Sequence, residues 1–325
     1  MARNAPSSSS AAASPPPASP GLTALDVILL GSLGILWGSA YIFIREGIVF
    51  GASPIEFAAV RYALSAAAFA ALAAARRERF PDQYALLVSG AVGGTLIIGA
   101  YGGFLYWGEQ YTTGGYAAIL ASTAPILTVV FAYSLLPAER LGAVSLLGIL
   151  VGFVGVVVLV VPEIIGSPVG TWPGPLFLFL AFVSAAIGTV VLRRVGRGPQ
   201  SLWQIGVQFG VGGALLGIVA LALPVREALP FALDVWASLL ALVVFASVMG
   251  YFVYFQLHHR VGPVQANIVA YLVPLVGIGI GSGFFAEPIT LSEVAGFLIV
   301  IVGVTLVIRG SMQRSVAKPA GEPVR

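Results

Sequence analysis

Apolar residues run along this chain in blocks of about twenty, the length a helix needs to cross a hydrocarbon core, and short polar stretches separate them. Ten such blocks stand out, at 25–44, 54–75, 84–107, 114–136, 141–161, 174–192, 202–223, 235–257, 264–285 and 291–308. The connecting loops are short, so no soluble catalytic domain fits between them. The pattern predicts an all-α polytopic membrane protein with ten transmembrane helices, and any function must be built inside the bundle.

Two polar tails flank the blocks. Residues 1–24, MARNAPSSSSAAASPPPASPGLTA, form a Ser/Ala/Pro tract unable to bury a core, and 310–325 are polar and basic. The first segment has one Arg and no apolar run before residue 25, so it reads as a disordered tail on the cytoplasmic side rather than a cleaved leader.

Positive charge tests the span count independently, because cytoplasmic loops retain Lys and Arg. With the N-terminus inside, the inner segments hold 13 of the 16 positive residues, including Arg76, Arg77, Arg79, Arg193, Arg194 and Arg260. The outer side holds Arg45 and Arg226, and Arg61 lies within the second block. One span missed or added would scramble that bias, so both termini are expected in the cytoplasm of a cell (inner or plasma) membrane protein.

The chain is also written twice. AAILASTAPIL at 117–127 and ANIVAYLVPLV at 266–276 place Pro125 and Pro274 149 positions apart, and at the same offset Arg45 falls on Arg194. After a one-residue slip, Glu139 meets Glu287, and Gly148 and Gly155 meet Gly296 and Gly303. The predicted units are 25–162 and 172–309, five helices each. Five is odd, so the halves enter the membrane in opposite senses. Inverted repeats of this kind build alternating-access carriers, with the substrate site at the repeat interface. A proline inside a spanning helix removes a backbone hydrogen bond and kinks it, so Pro125 and Pro274 are expected to hinge or line a cavity.

Composition removes other classes. Residues are 58% hydrophobic and 9% charged, which a hydrated surface does not tolerate. Cysteine is absent, excluding disulfides and thiolate metal sites. The two histidines are the neighbours His258 and His259, which point about 100° apart on a helix and form no chelate. No metal or other cofactor is expected. No nucleophile-and-base constellation supports an intramembrane enzyme, and no filter-like loop supports a channel, which stays as the alternative.

WGSAYIFIREG, PIEFAAVRYAL, YTTGGYAAILASTAPI and ERLGAVSLLGILVGFVGVVVLV, in that order and duplicated, resemble the EamA family of the drug/metabolite transporter superfamily. The resemblance covers about residues 25–309. It implies a central cavity between the halves and export or exchange of small metabolites such as amino acids.

Arg61 is the one charge well inside a span, and burying it unpaired costs several kcal/mol, so it should face the interior. Two readings stay open: a closed outer gate made with Glu109 or a carbonyl, or capture of a substrate carboxylate. Trp37, Tyr101, Gln204, Gln208, Asn267 and Tyr271 are candidate substrate-binding residues, and the pairs Gln204/Gln208 and Asn267/Tyr271 each share a helical face. Glu139 and Glu287 are expected to complement the helices that follow them. GxxxG spacings such as Gly34 to Gly38 and Gly277 to Gly281 predict close helix packing. The expected partners are a small-molecule metabolite and the lipid bilayer, without nucleic acid; a homodimer is left open.

Overall fold

The computed structural model describes residues 23–135, 143–166, 172–196, 200–223, 229–266, 269–284 and 286–317. Among these the regular structure is helical throughout. In chain order the elements are α1 (Ala24–Val49), α2 (Pro54–Ala75), α3 (Gln83–Val88), π1 (Ser89–Ala100), α4 (Tyr101–Glu109), α5 (Gly114–Ala121), α6 (Ala124–Leu135), α7 (Ala143–Gly166) and α8 (Pro173–Val195). They continue with α9 (Leu202–Ala222), α10 (Leu233–Ala241), π2 (Leu242–Met249), α11 (Gly250–Ala266), α12 (Val269–Phe284) and α13 (Leu291–Ala317).

Seven helical rods among the described residues are long and apolar enough to cross a membrane: Ala24–Val49, Pro54–Ala75, Gln83–Glu109, Gly114–Leu135, Pro173–Val195, Leu202–Ala222 and Leu233–Leu257. Three shorter apolar helices, Ala143–Leu159, Val269–Phe284 and Leu291–Val307, occupy the other expected spans. The helix of the eighth expected span is described to Ala266, and the next described helix is Val269–Phe284. Helix α13 likewise extends to Ala317, past the expected boundary at 309.

Helix starts follow from short polar side chains that satisfy otherwise orphaned backbone donors. Thr23 and Asp26 form a capping box on α1, and Ser201 and Gln204 form one on α9. Thr113 accepts from the Tyr116 N–H at 3.1 Å to start α5. Pro54 and Pro173 open α2 and α8, where a missing N–H costs nothing.

The two expected proline kinks differ. At Pro125 the helix breaks: α5 ends at Ala121 and α6 resumes at Ala124, with the Ser122 and Thr123 hydroxyls donating to the Ile119 and Leu120 carbonyls at 2.6 and 2.8 Å. Pro274 sits inside the continuous helix α12. A different irregularity does recur. The wide-turned segments π1 and π2 end at Ala100 and Met249, which are related by the same 149-residue offset as the prolines.

Most interhelix packing joins one half of the chain to the other, and several of the pairs recur when the halves are exchanged. Helix α7 packs on α13, α2 on α9, and α5 on α12. The α9–π1 contact has its counterpart in α2–π2, α8–π1 in α1–π2, and α6–α8 in α1–α12. Glycines let these backbones approach, as predicted. A Cβ at Gly38 would stand 2.8 Å from the Val273 carbonyl of α12, and one at Gly108 would stand 3.1 Å from the Gly174 carbonyl of α8.

Candidate functional site

Arg61 lies on the second turn of α2 and is 8% exposed. Its Nη1 donates to the Tyr106 hydroxyl at 2.9 Å, and its guanidinium lies 5.3 and 5.9 Å from the Tyr62 and Tyr106 ring centroids. A hydrogen bond to a charged group contributes about 1.5–3 kcal/mol, and desolvated cation–π contacts add about 2 kcal/mol. These contacts offset only part of the cost of burying the cation, and Arg61 Nε has no hydrogen-bond partner.

Of the readings left open for Arg61, a pairing with Glu109 is not formed. Glu109, at the end of α4, is 0% exposed, and neither carboxylate oxygen has a hydrogen-bond partner. The guanidinium donates to the Tyr106 hydroxyl instead. A cation and a carboxylate with unused polar atoms therefore stand in one buried region, along with Tyr41 and Tyr101, whose hydroxyls are 3.4 Å apart.

From this region a ladder of rings crosses the bundle. Tyr106 meets Tyr62 at a centroid distance of 6.2 Å, Tyr62 meets Phe209 at 5.6 Å, Phe209 meets Tyr251 at 5.6 Å, and Tyr251 meets Trp37 at 6.2 Å. It draws on α4, α2, α9, α11 and α1, so both halves contribute. The sequence reading named Trp37 but missed Tyr62, Phe209 and Tyr251. Tyr62 carried a usable signal, because it neighbours Arg61; the other two look like ordinary packing residues in an apolar helix.

The remaining candidates separate into groups. The Trp37 indole donates to the Ala246 carbonyl of π2 at 3.2 Å. A matching donor from the other half, the Ser184 hydroxyl of α8, reaches the Leu96 carbonyl of π1 at 2.9 Å. Gln204 is fully occupied: Oε1 accepts from the Ser201 N–H at 2.9 Å and Nε2 donates to the Ser89 hydroxyl at 3.1 Å. Gln208, one turn deeper, is 3% exposed and its Nε2 has no acceptor. Tyr271 lies near Thr305 of α13, and its buried hydroxyl has no hydrogen-bond partner. Asn267 and Glu139 lie outside the described residues.

Glu287 departs from its expected role. Its carboxylate does not cap α13, which is started by the Thr290–Glu293 pair. It reaches across to the other half instead, accepting from the Gly114 and Gly115 N–H groups of α5 at 2.9 Å each. Gly115 makes this approach possible, since a Cβ there would stand 2.9 Å from Glu287 Oε2.

The two ends of the bundle differ. The Arg61 end is tightly packed, with a cavity of about 10 Å³ beside Glu287 that holds one water at most. The opposite end carries a cavity of about 220 Å³ where α3, π1, α8 and α9 meet. There the Tyr84 hydroxyl donates to the Val195 carbonyl at 2.9 Å, and Asp26 and Arg260 form an ion pair at 2.7 Å that ties α1 to α11.

Apolar helical rods, paired halves and a buried charged and aromatic interior define a multi-pass membrane protein with the internal architecture of a transporter. The chain belongs to the EamA-like transporter family, whose sequence profile matches residues 25–161 and again 172–309. It is 28% identical to the uncharacterized transporter YvbV of Bacillus subtilis, over 86% of this chain and 90% of that protein. It is 27% identical to the uncharacterized inner membrane transporter YedA of Escherichia coli, over 91% of this chain and 94% of that protein. It is 25% identical to the WAT1-related protein At3g02690, chloroplastic, of Arabidopsis thaliana, over 88% of this chain and 70% of that protein. A protein of known crystal structure shares the fold at a TM-score of 0.61 and 18% identity, covering 87% of this chain and 97% of that one.

Proposed function

We propose that this chain is a carrier that moves a small polar metabolite, an amino acid or a related compound, out of the cell by alternating access. In this reading it crosses the membrane ten times as two inverted five-helix units, 25–162 and 172–309, with both termini in the cytoplasm. The Arg61 end then faces outward and the Tyr84 end faces the cytoplasm.

The observation that carries the reading is the set of helix contacts across the halves, the main ones of which recur when the halves are exchanged. Two arrangements related by that exchange have similar contacts and hence similar energies, which is what alternating access requires. Arg61 supports a polar substrate: among the described residues its side-chain acceptor is a neutral phenol, and its Nε is left for an acid group. Trp37, Tyr101 and Gln208 line the route between the ends, and the break at Pro125 supplies a hinge.

Counterflow into proteoliposomes, run over a panel of amino acids and other small metabolites, tests the carrier reading directly. A carrier shows uptake accelerated by substrate on the opposite side, and a channel shows none. Accessible tags at residues 78 and 168 are expected on opposite faces of the membrane; finding both on one face would remove the inverted arrangement.

A further inference from the structure

Three carboxylates are buried among the described residues. Asp26 accepts from the Thr23 N–H and from Arg260, and Glu293 accepts from the Thr290 N–H at 2.7 Å. Glu109 differs from both: it is 0% exposed, and neither of its oxygens has a hydrogen-bond partner. Its end of α4 is sealed by close packing on α8. A Cβ on Gly174 would stand 2.7 Å from Tyr111 Cβ and 2.8 Å from Thr112 Cγ2, in the turn that follows Glu109.

The ionisable groups around Glu109 come from several elements. Helix α1 brings Tyr41 and Arg45, α2 brings Arg61 and Tyr62, and α4 itself brings Tyr106. Neither arginine donates to a Glu109 oxygen, and Arg61 is turned to the Tyr106 hydroxyl. Glu287 is the second carboxylate nearby, and it is occupied by the Gly114 and Gly115 N–H groups. Tyr116 of α5 donates to the Leu159 carbonyl at 3.2 Å, while π1 and residues 173–183 of α8 carry no ionisable side chain. A carboxylate sealed from water without a donor is far costlier than the neutral acid, and a proton removes the charge without needing space.

We propose that Glu109 is a proton-binding site that governs the outer end of the carrier, holding a proton as a neutral acid while that end is closed and giving it up to water when it opens. Opening breaks the carboxylic O–H bond and passes the proton to a water molecule, leaving a hydrated carboxylate beside Arg45 and Arg61; closing reverses the step. The proposal deepens the carrier reading and rests on it for calling this end outer. A proton fits better than a metal ion, which needs several oxygen ligands. No group of three or more His, Asp or Glu side chains suited to a metal occurs among the described residues.

Infrared difference spectra of the full chain in detergent, taken at neutral pH in ordinary and heavy water, read the protonation directly. The carbonyl stretch of a protonated carboxylic acid is expected. Glu109→Gln should remove a component of that band, and Glu109→Asp, which keeps the acid, should shift the same component. Absence of the band, or a band unchanged in both variants, overturns the site.

Because the chain has no cysteine, Thr112→Cys places a single thiol beside this end. In phosphatidylcholine nanodiscs its rate of reaction with an uncharged hydrophilic maleimide is divided by the rate in a Glu109→Gln background, which cancels the titration of the thiol itself. The ratio is expected to rise with pH, by up to about tenfold per unit where one proton controls opening. A ratio that stays flat with pH, or that follows sodium concentration at fixed pH, overturns the proposal. Failure of counterflow across the metabolite panel would remove the carrier reading, and the infrared and labelling results would still decide the proton site by themselves.

Discussion

Gly155 and Gly296 pack reciprocally, so that a Cβ on Gly155 would stand 3.0 Å from the Gly296 carbonyl and a Cβ on Gly296 would stand 3.1 Å from the Gly155 carbonyl. Gly148 meets the Gly303 carbonyl in the same seam of α7 and α13. These are the glycines that the internal repeat equates, paired crosswise as a two-fold relation requires.

Overpacking that seam is expected to destabilise the protein. Gly155→Leu and Gly296→Leu should each cost about 1–3 kcal/mol, read as a lower thermal unfolding temperature in detergent. Gly31→Leu, where a Cβ meets nothing within 4 Å, serves as the control. Clearly unequal losses at Gly155 and Gly296 would contradict the reciprocity.

Arg61→Ala is expected to abolish or strongly reduce counterflow while folded protein is still recovered. Arg61→Lys keeps the charge but loses the planar fork, and should restore part of the activity. Tyr106→Phe removes the one acceptor that the guanidinium uses and should cost about 1–3 kcal/mol of stability. Full counterflow by Arg61→Ala would return that residue to a purely structural role.

Glu287→Ala strips the acceptors from the Gly114 and Gly115 N–H groups. Losing such a cap typically costs about 1 kcal/mol. A thiol introduced by Thr113→Cys should then label faster with an impermeant reagent in the Glu287→Ala background than alone. An unchanged rate would show that this contact does not hold the Arg61 end closed.

Gln208→Leu separates binding from stability. Gln208 Nε2 is buried without an acceptor, and replacing the amide removes that cost, so the unfolding temperature should stay unchanged or rise. Substrate preference in counterflow is expected to change. Parallel loss of stability and transport would assign Gln208 to packing alone.

Much of the architecture was legible because lipid imposes so plain a rule on composition: apolar runs and glycine spacings located the rods and their seams. The repeat was legible because Pro125, Pro274 and the glycines kept their spacing. At Pro274 the helix runs on past the proline, packed against α1 and α5. The π segments were invisible, since widening a turn needs no particular residue.

Within the site, Arg61 announced itself by charge alone. Its partner did not, because Glu109 was the obvious electrostatic match and Tyr106 won by position. Gln204 looked like a ligand-binding amide and is spent on a helix cap, whereas its neighbour Gln208 is unspent. Spacing could place both on one face but could not tell them apart. Glu287 was read as serving its own helix, and only the folded chain brings α5 to it.

The wide turns of π1 and π2 give the bundle a set of sockets. Each presents a carbonyl to a side-chain donor from the first long helix of the opposite half, Ser184 to Leu96 and Trp37 to Ala246. A plug of this kind fastens two rods at one point while leaving them free to swivel about it. In the alternating-access reading proposed above, motion between the halves would be channelled into rotation around these two pins.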